Sequence, residues 1–206
     1  MEAICHAIGM SELFDRLKRL VDEGHGVELP GRLNQGQFAP PEIRPAAVLI
    51  AVTDRPRPGV LLTHRPEGMR AHPGQVAFPG GKLDPGEDAV EAALREAHEE
   101  LAVEPSQVRI IGATDRFITG TGYDVTPVLA LIPPDLPIVP NPVEVADWFE
   151  APLDFLLDPA NHQHKEREWF GKVRPYIEIE WQGHRIWGIT AAILANLARR
   201  LAWQGS

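Results

Sequence analysis

The stretch that most constrains this chain runs from Gly81 to Val103, GKLDPGEDAVEAALREAHEELAV. Its apolar residues recur at helical spacing, which predicts a helix opened by the acidic run Asp84–Asp88 and stopped at Glu104-Pro105. At about 100° per residue and with Val90 as origin, Glu99, Glu96 and Glu100 fall at roughly 180°, 240° and 280°. Val90, Ala93, Leu94, Ala97 and Leu101 fall beside that arc. The helix is therefore expected to bury one side and to carry three carboxylates on the flank, with Ala92 leaving the space between them open. Like charges one turn apart repel, and a hard divalent cation with a preference for oxygen ligands turns the repulsion into attraction. The same pattern also fits a solvated acidic face, and what precedes the helix bears on the choice.

The rest of the chain sets bounds. A length of 206 residues suits one domain with an extension. A formal charge of −9 argues against duplex nucleic acid or an anionic membrane as partner, while leaving room for a small anionic substrate. One cysteine, Cys5, allows no internal disulfide framework. The N-terminus lacks the pattern of a signal peptide and no apolar run approaches ~20 residues, so a soluble cytoplasmic protein is expected.

Ser11 reads as the cap of a first helix ending near Gly24, followed by a surface linker rich in Gly and Pro over 24–45. Residues 45–53 are almost wholly apolar, the pattern of a strand buried on both faces. Turn chemistry at 54–59 and a second strand, 60–64, complete a hairpin. A loop with His72, Pro73 and Gly74 leads through 76–79 to the paired glycines, and further strands are expected at 108–112 and 124–132. A stiff proline-rich loop over 133–143 precedes a short helix at 153–157. A hairpin of 173–181 with 185–187 and a last helix, 191–201, capped by Thr190, close the chain. Interleaved strands and helices indicate an α/β layered domain over 41–206, with residues 1–40 as a helical extension packed on it.

Written as a pattern, Gly81, Glu87, Arg95-Glu96-Ala97-x-Glu99-Glu100 and the apolar Val103 resemble the Nudix box, with Ala102 standing where the box has glycine. A left-handed cap is glycine's usual role there, and alanine costs ~1 kcal/mol without touching the carboxylates. The resemblance implies an α/β/α sandwich around a mixed β-sheet. It also implies hydrolysis of a nucleoside diphosphate derivative with Mg2+ or Mn2+. Carried over by position, Glu96 and Glu100 are the principal metal ligands and Glu99 a further ligand or water-orienting base. The Gly80 carbonyl is another candidate ligand, Arg95 orients Glu99, and Glu87 ties loop to helix.

Upstream, Leu61-Leu62-Thr63-x-Arg65, Arg70, Gly74 and Phe78-Pro79-Gly80-Gly81 resemble the signature of coenzyme A pyrophosphatases, with Pro66 in place of a serine. That resemblance implies a small-molecule substrate, coenzyme A or a derivative, cut to 4′-phosphopantetheine and adenosine 3′,5′-bisphosphate. Arg65 and Arg70 suit its phosphates because guanidinium groups bind phosphate bidentately. Glu144, after the proline-rich loop, is read as a metal ligand or general base on one hand and an exposed loop carboxylate on the other. The Thr119–Tyr123 loop is either a cleft wall or a plain turn. His72 is a candidate substrate contact. His98 lies on the flank away from the glutamates, and His162 and His164 lack a third ligand, so none of these is assigned a metal. Trp169, Trp181 and Trp187 are read as core or dimer-contact residues, which keeps a homodimer open. Rival readings are a Nudix hydrolase of ADP-ribose or NADH and a non-catalytic nucleotide sensor.

Overall fold

The computed structural model describes residues 2–24, 28–29, 31–68, 72–169 and 172–201, with the backbone alone at 2–11, 24, 169 and 172. Cys5 and the side chain of Trp169 thus fall outside the described side chains, and Arg70 outside the described residues altogether.

The hub is β1, Arg44–Thr53, whose residues are buried from Ala46 onward except half-buried Val48. It runs parallel to β7, Tyr123–Ile132, in unbroken register from Arg44 opposite Tyr123 to Thr53 opposite Ile132. On its other side β1 turns antiparallel into β2, Gly59–His64. The short strands β3, Val76–Ala77, and β4, Gly80–Lys82, pair with β2 and β1. Beyond β7 lie β5, Arg109–Ala113, and β6, Phe117–Ile118. Pairing of β8, Asp147–Pro152, with β2 completes an eight-stranded mixed sheet.

Period-two alternation sorts the core into two layers. Ala47, Leu49 and Ala51 of β1, with Val128, Ala130 and Ile132 of β7, meet Ala92, Ala93, Ala97 and Leu101 of α2, Ala89–Leu101. Ile50, Val52, Leu129 and Leu131 point the other way, to Leu17 and Val21 of α1, Glu2–Gly24. The same layer receives α3, Leu153–Leu157, and α4, Ile189–Arg200. It also receives Ile177, Ile179 and Ile186 from a three-stranded antiparallel sheet of β9, Gln163–Trp169, β10, Lys172–Trp181, and β11, His184–Trp187. The result is an α/β/α sandwich on a mixed sheet, as expected.

Several elements differ from the sequence reading. The first helix begins at Glu2, so Ser11 lies inside it and is no cap. Asp84 sits in the turn before α2, and Asp88 is the cap, its carboxylate accepting from the backbone of Val90 and Glu91. Thr190 does not cap α4: its hydroxyl donates to the carbonyl of Val76, 2.9 Å away, and pins the helix to β3. The polar run at 163–169 is a strand, β9, supported by backbone pairing with β10 rather than by apolar alternation. As a surface strand it had no period-two signal to give.

Candidate functional site

The central helix is placed by its small residues. Ala92, Ala93 and Ala97 have no exposed surface, and with no longer side chains to hold it off, α2 lies against β1 and β4. The buried arc therefore extends past the apolar stripe and takes in the acidic flank: Glu100 is only 6 % exposed. Beside it runs the Gly80-Gly81 pair of β4. A Cβ at Gly80 would stand 2.4 Å from the Ala47 carbonyl oxygen, and one at Gly81 would stand 2.3 Å from a carboxylate oxygen of Glu96. At Gly80 the obstacle is backbone, so only glycine lets the strand come this close to the sheet, whereas at Gly81 it is the movable end of Glu96.

Three carboxylates converge here. Glu96, Glu100 and Glu144 each offer an oxygen, and these oxygens lie within 4.8 Å of one another. Glu144 arrives through the end of the proline-rich loop, where its N–H and that of Val145 donate to the carbonyl of Asn141. The Asn141 N–H in turn donates to the backbone carbonyl of Glu100, which fastens the loop to the helix. Spacing within α2 gave no sign of this third acid. The clue was its place after a stiff loop, and only the fold brings that loop to the helix.

The electrostatics fit a cation. Burial, and then the neighbouring charge of Glu96, push the Glu100 carboxyl up to about 8, against the opposing pull of the Gly80 N–H and Arg65. Burial also raises Glu96, with Arg95 opposing. Two crowded acids that resist ionisation, with a third at hand, form an oxygen donor set suited to a hard divalent ion.

Arg95 organises the rim. Its guanidinium bonds Glu87 at 2.7 Å, Glu96 at 2.9 Å and Glu99 at 3.1 Å, and donates to the carbonyl of Lys82. Glu87 also accepts from the backbone N–H of Asp84, so it ties the preceding loop to the helix. Hydrogen bonding from Arg95 and then from Asp84 holds the Glu87 carboxyl below its ordinary range. Glu99 is not drawn into the trio. Its side chain is 48 % exposed and is held outside by Arg95, because its position on the helix leans away from the sheet.

The trio opens into a cleft of about 440 Å³. Arg65 and Phe78 line it beside the glutamates, Gly80 and Gly81. The Arg65 Nε is buried with no hydrogen-bond partner among the described residues. Gly74, at φ +65°, donates its N–H to the carbonyl of Arg65, 3.1 Å away. His72 lines the cleft with its ring bonded to Gln75 at 2.8 Å. Thr119, Thr121 and Tyr123 line it as well, so their loop is a wall as well as a turn. Trp187, read from the sequence as a core or dimer-contact residue, is half-buried and lines the cleft. Trp181 packs on the core against Phe155. His98 stands exposed beside Glu104, and His162 bonds the carbonyl of Leu156, so neither joins the acids.

The site is thus a loop–helix unit that brings one buried and two half-buried glutamates together, set on a mixed sheet in an α/β/α sandwich. The Nudix domain family covers residues 43–173, well over half of the chain, and this protein belongs to that family. It is 40 % identical over 196 residues to a protein of Enterobacter sp. (strain 638) named "Uncharacterized Nudix hydrolase NudL", covering 87 % of this chain and 97 % of that one. An Escherichia fergusonii protein of the same name is 44 % identical over 160 residues, covering 77 % and 83 %. Among solved structures, the M. smegmatis Nudix hydrolase RenU superposes with a TM-score of 0.48 at 30 % identity, over 56 % of this chain and 74 % of that one. The chain is thus a Nudix hydrolase of a nucleoside diphosphate derivative, in a family whose members use divalent metal ions. No helix among the described residues is long and apolar enough to cross a membrane.

Proposed function

We propose that the protein hydrolyses the diphosphate of coenzyme A or an acyl derivative to 4′-phosphopantetheine and adenosine 3′,5′-bisphosphate. The observation that carries this reading is the shared cleft. Arg65 and Phe78, from the segment resembling coenzyme A pyrophosphatases, line the same cavity as Glu96, Glu100 and Glu144. A hydrolase of some other diphosphate has no need of that segment.

In this reading Glu96, Glu100 and Glu144 hold the metal, with the Gly80 carbonyl beside them. A bound Mg2+ or Mn2+ supplies positive charge where negative charge builds on the phosphoryl oxygens, and makes water more acidic. Arg65 grips the diphosphate with its guanidinium, whose Nε has no hydrogen-bond partner among the described residues. Water attacks one phosphorus as the bridging P–O bond breaks. The proton it loses passes to a carboxylate of the site, Glu144 in the cleft or Glu99 once it leaves Arg95. Phe78 gives the cleft a dry floor that strengthens these charge interactions. The retained carboxylates weigh against a non-catalytic sensor.

The test is turnover of coenzyme A, ADP-ribose and NADH with magnesium, followed by separation of the products. Coenzyme A is expected to give the highest kcat/KM. A preference for either rival by about tenfold, ~1.4 kcal/mol in the transition state, overturns the assignment.

A further inference from the structure

The chain after residue 173 lies beyond the family's matched span, yet it builds a wall of the cleft through Trp187, Ile189 and Ile193. In the second sheet, Arg174 stands opposite Arg167, Tyr176 opposite Lys165, and Glu178 opposite both Gln163 and Trp187. Residues paired in this way share a face, so these form one row leading from the cleft wall outward. The opposite face sends Ile177, Ile179 and Ile186 into the core.

The cations of the row are not equivalent. Lys165 and Arg185 both end on the carboxylate of Glu178. Arg174 has no ion pair among the described residues, and its Nε is buried without a hydrogen-bond partner. It stacks on Phe38, 3.8 Å from the ring centroid, which covers a face of the guanidinium but takes none of its donors. Its Nη1 lies 3.7 Å from where a Cβ of Gly120 would stand, and Gly120 sits between Thr119 and Thr121 of the cleft wall. Among the described arginines, only Arg65, inside the cleft, shares this buried donor without a partner.

We propose that Arg174 is an anion-binding specificity residue at the rim of the cleft, taking a second phosphate group of the substrate remote from the diphosphate. The proposal rests on the coenzyme A reading, whose adenosine product keeps a phosphate at the 3′ position. A chain of net charge −9 repels such a group overall. A guanidinium without a counter-ion, held flat by an aromatic ring, is where that repulsion reverses. Its planar fork suits a phosphate dianion better than an ammonium does.

Calorimetric titration with adenosine 3′,5′-bisphosphate and with 5′-AMP tests the site independently of turnover. Wild-type protein is expected to bind the bisphosphate about tenfold more tightly, and Arg174→Gln to remove most of that difference while leaving 5′-AMP within about twofold. Equal weakening of both nucleotides, or of neither, overturns the proposal. Kinetically, Arg174→Gln is expected to lower kcat/KM for coenzyme A about tenfold through KM, and to spare 3′-dephospho-coenzyme A. If coenzyme A is not turned over at all, the functional reading falls while the titration still decides the anion site. Should Arg174→Gln fail to fold by circular dichroism, Arg174→Lys decides: it keeps the charge but loses the fork, and a bisphosphate preference unchanged from wild type overturns the proposal.

Discussion

At the scale of residues, the site trades stability for chemistry. Glu100 is buried among like charges and resists ionisation, so its carboxylate is a poor choice for folding alone. Glu96→Gln and Glu100→Gln are each expected to lower kcat at least ~100-fold, about 2.7 kcal/mol of transition-state stabilisation. Glu100→Gln is not expected to lower Tm, because an amide keeps an oxygen to accept the Gly80 N–H while losing the repulsion. Near-normal rates in both variants refute the ligand assignment. Glu99→Gln, outside the trio, is expected to cost only about tenfold, and a loss as large as that of Glu96→Gln shows that Glu99 enters the reaction. Ala102 is strained in the opposite sense: it ends α2 at φ 56°, where glycine is at ease. Ala102→Gly is expected to gain up to ~1 kcal/mol, or roughly 2–4 °C in Tm for a chain of this size. An unchanged or lower Tm removes the strain argument.

At the scale of elements, the second sheet depends on one buried acid. Glu178 is 4 % exposed and receives Lys165 and Arg185 from the strands on either side of it. Burial raises its carboxyl, but hydrogen bonds from the two cations outweigh that and leave it below the ordinary value of about 4.5. A carboxyl depressed in the folded state contributes stability above its unfolded pKa and loses it as pH falls through the folded value. Wild-type Tm is therefore expected to exceed that of Glu178→Gln at pH 7, with the gap closing as pH drops below about 4.5. A gap that stays constant to pH 3 means that the pair does not stabilise the sheet. The sheet also shows where pattern reading fails. Over 163–168 β9 is polar and mostly exposed, so periodicity does not mark it. Its strand character comes from hydrogen bonds to β10. Buried β1 is the opposite case, with both faces covered and apolarity to match.

For the whole molecule, the cleft is a joint product of segments far apart in sequence. Glu96 and Glu100 come from α2, Glu144 from the loop before β8, Arg65 from the end of β2, and Trp187 from β11. Metal is expected to stabilise the folded state alone, since the trio exists only there. Millimolar Mg2+ or Mn2+ should stabilise the wild type, by about 2.7 kcal/mol at one hundred times Kd, and so raise its Tm, while leaving Glu96→Gln and Glu100→Gln little changed. Equal shifts in all three proteins place the ion elsewhere.

Sequence by itself determined that a helix lies between the acidic run Asp84–Asp88 and Glu104-Pro105, with its acidic flank, the glycine pair before it and the fully buried strands; the structure narrows that helix to Ala89–Leu101. Each of these is written in local chemistry: spacing, caps, turn residues and unbroken apolar runs. Tertiary structure alone decided which acids meet. Helical angle groups Glu99 with Glu96 and Glu100, yet the close seat that three alanines give α2 buries Glu100 and leaves Glu99 outside with Arg95. The place of the third acid goes to Glu144, 44 positions beyond Glu100, because a proline-stiffened loop is bonded back to the helix through Asn141. Periodicity reports which way a side chain leaves its own element. What stands opposite is set by packing between elements, and no local pattern in the chain records it.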